Sequence, residues 1–148
     1  MYSITAEQEK LLINKALEAR KCAYAPYSGF AVGAALLTAN DIIYLGGNIE
    51  NASYGATNCA ERTAIFKAVS EGCMAFKAIA IAGGPKEVEP SDWCYPCGIC
   101  RQVMQEFCDG DFHVYIVKST EEYKRLTLSE LLPYSFNEEA LAGAGKQD

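Results

Sequence analysis

Two short stretches, Thr57-Asn58-Cys59-Ala60-Glu61-Arg62 and Pro96-Cys97-Gly98-Ile99-Cys100, offer three thiolates to one metal ion and leave one carboxylate over. Three thiolates fill three corners of a tetrahedral zinc, so the fourth stays open to a water that the ion can activate. Glu61 follows the first sulfur by two residues and is placed to move that water's proton. The chemistry these residues point to is hydrolysis. Cys97 and Cys100 stand at i and i+3, so a single ion can span them on one face of a helical turn. Each cysteine stretch falls where a helix is expected to begin. Backbone N–H groups and the positive end of the helix dipole gather there and favour thiolate over thiol. Three thiolates and Zn²⁺ sum to one negative charge, which opposes further ionisation of bound water. Arg62 and Arg101, each near a ligand in sequence, are placed to donate hydrogen bonds to the sulfurs and offset that charge.

These residues need a scaffold, and the chain shows one. Thr5 and Gln8 form a capping box before a helix from Ala6 to about Ala23, where Leu11, Leu12, Ala16 and Leu17 recur at helical spacing. Ala25–Gly29 is a turn. Phe30–Thr38 is an unbroken apolar run, which predicts a strand covered on both faces. Asn40-Asp41 turns the chain into a hairpin partner, Ile42–Leu45. A polar loop from Gly46 to Gly55 leads to a second helix, near Cys59 to Ser70. A strand over Lys77–Ala82 stops at Gly83-Gly84-Pro85, and an irregular loop runs from Lys86 to Pro96. A third helix spans Cys97–Phe107. His113–Val117 and Tyr123–Thr127 are strands, and Leu128–Leu132 is a helical turn. This order predicts an α/β fold, a three-layer α/β/α sandwich with a mixed five-stranded sheet. Residues 137–148 are expected to form a mobile tail.

Composition narrows the function classes. The 148 residues are expected to form a single domain that buries roughly 70% of its unfolded-chain surface. A net charge of −6 argues against binding nucleic-acid phosphates or anionic membrane. No apolar run reaches the ~20 residues of a spanning helix, and no secretory signal is visible. Seven cysteines without such a signal suggest a reducing, cytoplasmic setting with thiols kept for metal or packing. Cys22, Cys73 and Cys108 read as buried small hydrophobes. His113, the one histidine, lies between apolar strand residues and reads as structural.

The chain resembles the cytidine deaminase family, specifically its small homotetrameric type. The resemblance is carried by Pro26-Tyr27-Ser28-Gly29-Phe30-Ala31-Val32-Gly33-Ala34-Ala35-Leu36, Gly47-Asn48-Ile49-Glu50-Asn51-Ala52-Ser53-Tyr54-Gly55, Cys59-Ala60-Glu61-Arg62-Thr63-Ala64-Ile65, Pro96-Cys97-Gly98-Ile99-Cys100-Arg101-Gln102 and Leu131-Leu132-Pro133-Tyr134-Ser135-Phe136. Three cysteine ligands with a glutamate that does not bind the metal is the known pattern of zinc deaminases. The resemblance implies one Zn²⁺ per chain held by Cys59, Cys97 and Cys100. It makes Glu61 the proton carrier, from the activated water to N3 of the pyrimidine and then to the departing amine. Asn48 and Glu50 become binders of the ribose hydroxyls, and Phe30 a residue that packs on the base. Ala60 contributes backbone contacts to the base. Tyr54 and Phe136 line the pocket, reaching it from a neighbouring subunit of a homotetramer with shared active sites. Arg62 faces a ligand sulfur. The implied reaction turns cytidine and 2′-deoxycytidine into uridine and 2′-deoxyuridine with release of ammonia, in pyrimidine salvage.

Two other uses of the cysteines compete. Cys94-x-x-Cys97-x-x-Cys100 could close a four-sulfur structural site, although three ligands at consecutive three-residue steps would be strained across Pro96. Trp93-Cys94-Tyr95-Pro96-Cys97 looks like a redox Cys-x-x-Cys, as does Cys97-Gly98-Ile99-Cys100, but that use leaves Cys59, Glu61, Asn48 and Glu50 idle. Among deaminase substrates the choice lies between nucleoside, nucleobase, nucleotide, nucleic acid and an antibiotic such as blasticidin S. The acidic composition disfavours nucleic acid. A carboxylate at Glu50 suits free sugar hydroxyls and repels a phosphate, which favours the small-molecule nucleoside.

Overall fold

Strand β1 (Phe30–Thr38) organises the molecule because it is buried on both faces. Side chains alternate across a strand, so Ala34 and Leu36 enter one core cluster while Ala35 and Leu37 enter the other. The computed structural model describes residues 2–144. The remaining strands are β2 (Ile43–Gly47), β3 (Phe76–Pro85), β4 (His113–Val117) and β5 (Tyr123–Thr127). The sheet order is β2-β1-β3-β4-β5. β3 and β4 run parallel, and every other neighbouring pair is antiparallel. The mixed five-stranded sheet expected from the sequence is the sheet observed.

Helices cover both faces. α1 (Ala6–Ala19) carries the Thr5–Gln8 capping box and buries Leu12, Ile13 and Ala16 against Ala80 and Tyr115. On the opposite face, α2 (Ala60–Ser70) and α3 (Gly98–Phe107) bury Ala64, Ile65, Ala68 and Met104 with Ile79, Ile81 and Ile116. These are the three layers. Helix α2 seats directly on β2, where a Cβ at Gly46 would lie 2.3 Å from the Ala60 carbonyl oxygen. Only a residue without a side chain permits that approach, and it brings the start of α2 to the edge of the sheet.

Several boundaries differ from expectation for identifiable reasons. The first helix ends at Ala19 and tightens into a 3₁₀ turn over Arg20–Cys22. There Arg20 spreads its guanidinium over three carbonyls, those of Ala31, Pro85 and Val88. Cys22 is exposed rather than buried, because the turn presses its backbone against Gly47. β3 continues through Gly83-Gly84 to Pro85 because β1 supplies partners to that point, Ala31 for Gly84 and Phe30 for Pro85. The helical turn is α4 (Leu128–Leu131), with a capping box between Thr127 and Glu130. Within the expected tail, α5 (Glu138–Ala144) is helical, and residues 145–148 lie outside the described residues.

The pairing puts the start of β1 beside the ends of β2 and β3. That end of the sheet carries Phe30, Asn48 and the loop that leads to Cys97.

Candidate metal centre

Cys59 and Cys97 are the N-cap residues of α2 and α3, each with extended backbone and neither using its side chain as a cap. Both sulfurs are therefore free to face each other across the two helix starts. Cys100 joins them from the first turn of α3 and is fully buried. The Sγ atoms of Cys59 and Cys97 are 3.7 Å apart, and those of Cys97 and Cys100 are 3.5 Å apart. All three sulfurs lie within 4.8 Å of one another. A tetrahedral zinc with bonds of ~2.3 Å separates its sulfurs by about 3.8 Å. The soft donor set and its spacing fit zinc.

Among the described residues, the metal-sized group holds these three cysteines and no fourth ligand. Cys94 instead packs on β3, with its Sγ 2.7 Å from where a Cβ on Gly83 would stand. Burial pushes the Cys94 thiol up to about 12, with the Glu61 carboxylate adding to the rise. Cys94 stands outside the metal-sized group of sulfurs. Cys94→Ser is expected to keep one zinc per chain, read by atomic absorption, and to keep turnover close to wild type. Loss of the metal would restore the four-sulfur reading.

The electrostatics favour thiolate at the first ligand. Cys59 is pulled down to about 5, first by a hydrogen bond from Cys100, against the opposing effect of burial, and then by Arg62. The Arg62 Nη2 donates to Cys59 Sγ at 3.3 Å. The same contact and burial raise the Cys100 thiol, so its proton is the harder to remove. A divalent cation in place of that proton favours thiolate at both. Arg101 does not reach a sulfur. It donates to the carbonyls of Pro96 (2.7 Å) and Leu131 (2.6 Å).

Glu61 is only 4% exposed. Burial pushes its carboxyl up to about 7; its own backbone N–H opposes the rise and the Cys59 thiolate adds to it. A buried carboxyl beside three sulfurs, but outside their set, is a group able to hold or release a proton near neutral pH.

The other candidate residues gather around this centre at varying distance. Ile49 and Asn58 exchange two backbone hydrogen bonds of 2.9 Å each, tying the Asn48–Glu50 segment to the residue before Cys59. Glu50 accepts from the N–H groups of Tyr27 (2.9 Å) and Ser28 (3.1 Å) and from the Ser28 hydroxyl (2.5 Å). Ser28 hydrogen bonding holds the Glu50 carboxyl below the usual range. Asn48 accepts from Val32 N–H and donates to the Phe30 carbonyl, both at 2.9 Å. Its amide thereby extends β1 by a rung, and one of its N–H donors remains. Phe30 is 41% exposed at the start of β1, with its ring against Gly83. Ala60 is fully buried at the first position of α2. Tyr54 and Phe136 are 81% and 59% exposed. Tyr54 shares a cavity of about 390 Å³ with Tyr27, Ser28, Glu50, Asn51 and Thr57. Gln102 anchors the Phe136 carbonyl at 2.8 Å. His113 opens β4 at the opposite end of the sheet, beside Phe107 and Cys108.

Comparison with known proteins agrees with this geometry. A family model described as "Cytidine and deoxycytidylate deaminase zinc-binding region" matches residues 6–116. The chain is 51% identical over 130 residues to a cytidine deaminase of Halalkalibacterium halodurans, covering 88% of this chain and 95% of that one. It is 48% identical over 139 residues to a cytidine deaminase of Sporosarcina psychrophila, covering 92% and 96%. Among solved structures, it matches a cytidine deaminase from Burkholderia pseudomallei at 42% identity with a TM-score of 0.78, over 90% of this chain and all of that one. A Bacillus anthracis structure at 18% identity and a TM-score of 0.70 shares the fold.

Proposed function

This chain belongs to the cytidine and deoxycytidylate deaminase family, and we propose how its own residues divide the work of the reaction. The activity is zinc-dependent hydrolytic deamination of cytidine, and the proposed substrates include 2′-deoxycytidine. Zinc, when bound by Cys59, Cys97 and Cys100, supplies a Lewis acid that lowers the pKa of a water toward ~7. Glu61 takes the proton of the attacking water and delivers it to N3 of the pyrimidine. The base loses aromaticity at C4, where the oxygen adds. Glu61 then helps protonate the amine, which departs as ammonia. Arg62 holds the Cys59 sulfur and offsets the negative charge of the three thiolates. The observation that carries this reading is a sulfur trio at zinc spacing beside a buried carboxyl that stays outside it.

Phe30 packs on the base, the Ala60 backbone contacts it, and Asn48 and Glu50 bind the sugar hydroxyls. A carboxylate held ionised at Glu50 repels a phosphate nearby, so the preferred substrate is the nucleoside rather than the nucleotide. Tyr54 and Phe136 are too exposed to close a pocket within one chain, which supports a homotetramer whose subunits complete each other's sites. A cytoplasmic setting fits thiolate ligands that must stay reduced. No helix among the described residues is long and apolar enough to cross a membrane.

The direct test incubates purified protein with cytidine, 2′-deoxycytidine, cytosine and dCMP, follows ultraviolet absorbance and ammonia release, and counts zinc per chain. Glu50→Ala is expected to lower kcat/KM for cytidine by about 10–100-fold, the effect of a hydrogen bond to a charged group, and to leave free cytosine much less affected. Equal losses on both substrates would remove the sugar contact.

A further inference from the structure

The Glu50 carboxylate is held by a neighbouring turn. Three donors from two consecutive residues converge on it. The N–H groups of Tyr27 and Ser28 meet one oxygen, Oε1, and the Ser28 hydroxyl meets the other, Oε2. The turn that presents them is closed by a bond from Gly29 N–H to the Ala25 carbonyl at 3.0 Å. Gly29 takes φ +67°, a left-handed conformation that suits glycine. The Ser28 Oγ also accepts the N–H of Phe30 at 3.0 Å. The Phe30 carbonyl in turn accepts from Asn48 Nδ2. A continuous hydrogen-bonded chain therefore runs from Glu50 through Ser28 and the Phe30 backbone to Asn48. It links the two residues proposed for the sugar with the aromatic proposed for the base. Ser28 is the one member with no part in the reading so far.

A carboxylate presents about four lone-pair sites. Three of them are occupied within the chain, two on Oε1 and one on Oε2. Among the described residues, one site on Oε2 is left, and Glu50 lines the cavity it shares with Tyr27, Tyr54 and Thr57. The terminal torsion of a glutamate is intrinsically broad, so the direction of that last site depends on what grips both oxygens. The backbone amides grip only Oε1. Among the described residues, the Ser28 hydroxyl is the hydrogen-bond donor to Oε2.

We infer that Ser28 is a positioning residue of the sugar subsite: its hydroxyl aims the free lone pair of Glu50 at a substrate hydroxyl and ties that carboxylate to the strand bearing Phe30. This inference rests on the proposed contact between Glu50 and the sugar. An ordinary serine in a turn would stabilise the loop and act on every substrate alike, which is what the experiment separates.

The experiment measures kcat and KM for cytidine and kcat/KM for free cytosine in wild type, Ser28→Ala, Glu50→Ala and the double variant, with zinc content and melting temperature for each. Ser28→Ala is expected to raise KM for cytidine about tenfold, the effect of one charge-assisted hydrogen bond. Its kcat should stay within about threefold, and its zinc content and cytosine turnover should not change. In the Glu50→Ala background the same substitution should change KM by less than about twofold, since the two residues act as one unit. An equal effect in both backgrounds, a matching loss on cytosine, or a fall in zinc content would each overturn the positioning role. If Glu50→Ala itself treats cytidine and cytosine alike, the sugar contact fails first, and the role of Ser28 falls with it.

Discussion

Glu61→Gln is expected to yield a protein that carries one zinc per chain, binds cytidine with little change in KM, and turns it over at least ~10²–10⁴-fold more slowly. Glutamine has the volume and shape of glutamate, so the packing around α2 is kept. It cannot accept a proton and pass it on, so both transfers proposed for Glu61 lose their carrier. The loss belongs in kcat, because the missing interaction exists only as protons move. It corresponds to about 3–5 kcal/mol in the barrier. A second readout separates chemistry from folding. Glu61 is buried, and burial disfavours its ionised form. The uncharged amide is released from that penalty, so the melting temperature should hold or rise. Near-normal turnover with zinc in place would remove Glu61 from the mechanism. Lost turnover together with lost zinc would make it a structural support of the site.

The parts of this site that were legible in the sequence are those whose chemistry is local. Cys97 and Cys100 stand three residues apart at a helix start, so spacing alone puts them on one face, and Glu61 follows Cys59 by two residues at the other helix start. That the two turns meet followed from matching stretches in family order, and the sulfur distances agree with it. β1 was legible because Phe30–Leu37 runs without a polar interruption, and most of it is buried. Its role as an inner strand then set the layers above and below it.

What the sequence did not display depends on partners distant along the chain. Gly83-Gly84-Pro85 has the composition of a stop, yet it continues β3 because β1 lies alongside to pair with it. Arg62 follows Cys59 by three residues and Arg101 follows Cys97 by four, so spacing alone treats them alike. The carbonyls of Pro96 and Leu131 take Arg101, whereas Arg62 reaches a sulfur. Asn48 was expected to bind the sugar, and its amide also makes two bonds to β1, accepting from Val32 and donating to Phe30. Ser28 is an ordinary turn residue until Glu50 folds over it. A hydroxyl two residues before a backbone N–H it can accept was the only local hint.

Cys100→Ala is expected to abolish both metal and turnover, and it distinguishes an ion-dependent enzyme from a fold that merely has thiols nearby. Cys100 is the one fully buried ligand, so no outside side chain can readily replace it. Outer-shell changes at metal sites already cost 10–100-fold in affinity. Removing a direct ligand from a set of three should cost more than about 100-fold, which leaves the chain nearly free of zinc and its deamination at background. The void left by one sulfur would by itself destabilise the fold by only about 1 kcal/mol. A ligand that binds only the folded state adds stability in proportion to how far its concentration exceeds its dissociation constant. The melting temperature of wild type should therefore fall when a strong chelator strips the metal and recover when zinc is restored. That of Cys100→Ala should sit near the stripped value and ignore both treatments. Cys94→Ser, altered at a thiol that packs on β3 instead of joining the trio, should respond to chelator and zinc as wild type does. If Cys100→Ala instead kept a full complement of zinc, the three sulfurs would not be the ligand set, and Glu61 would have no activated water beside it.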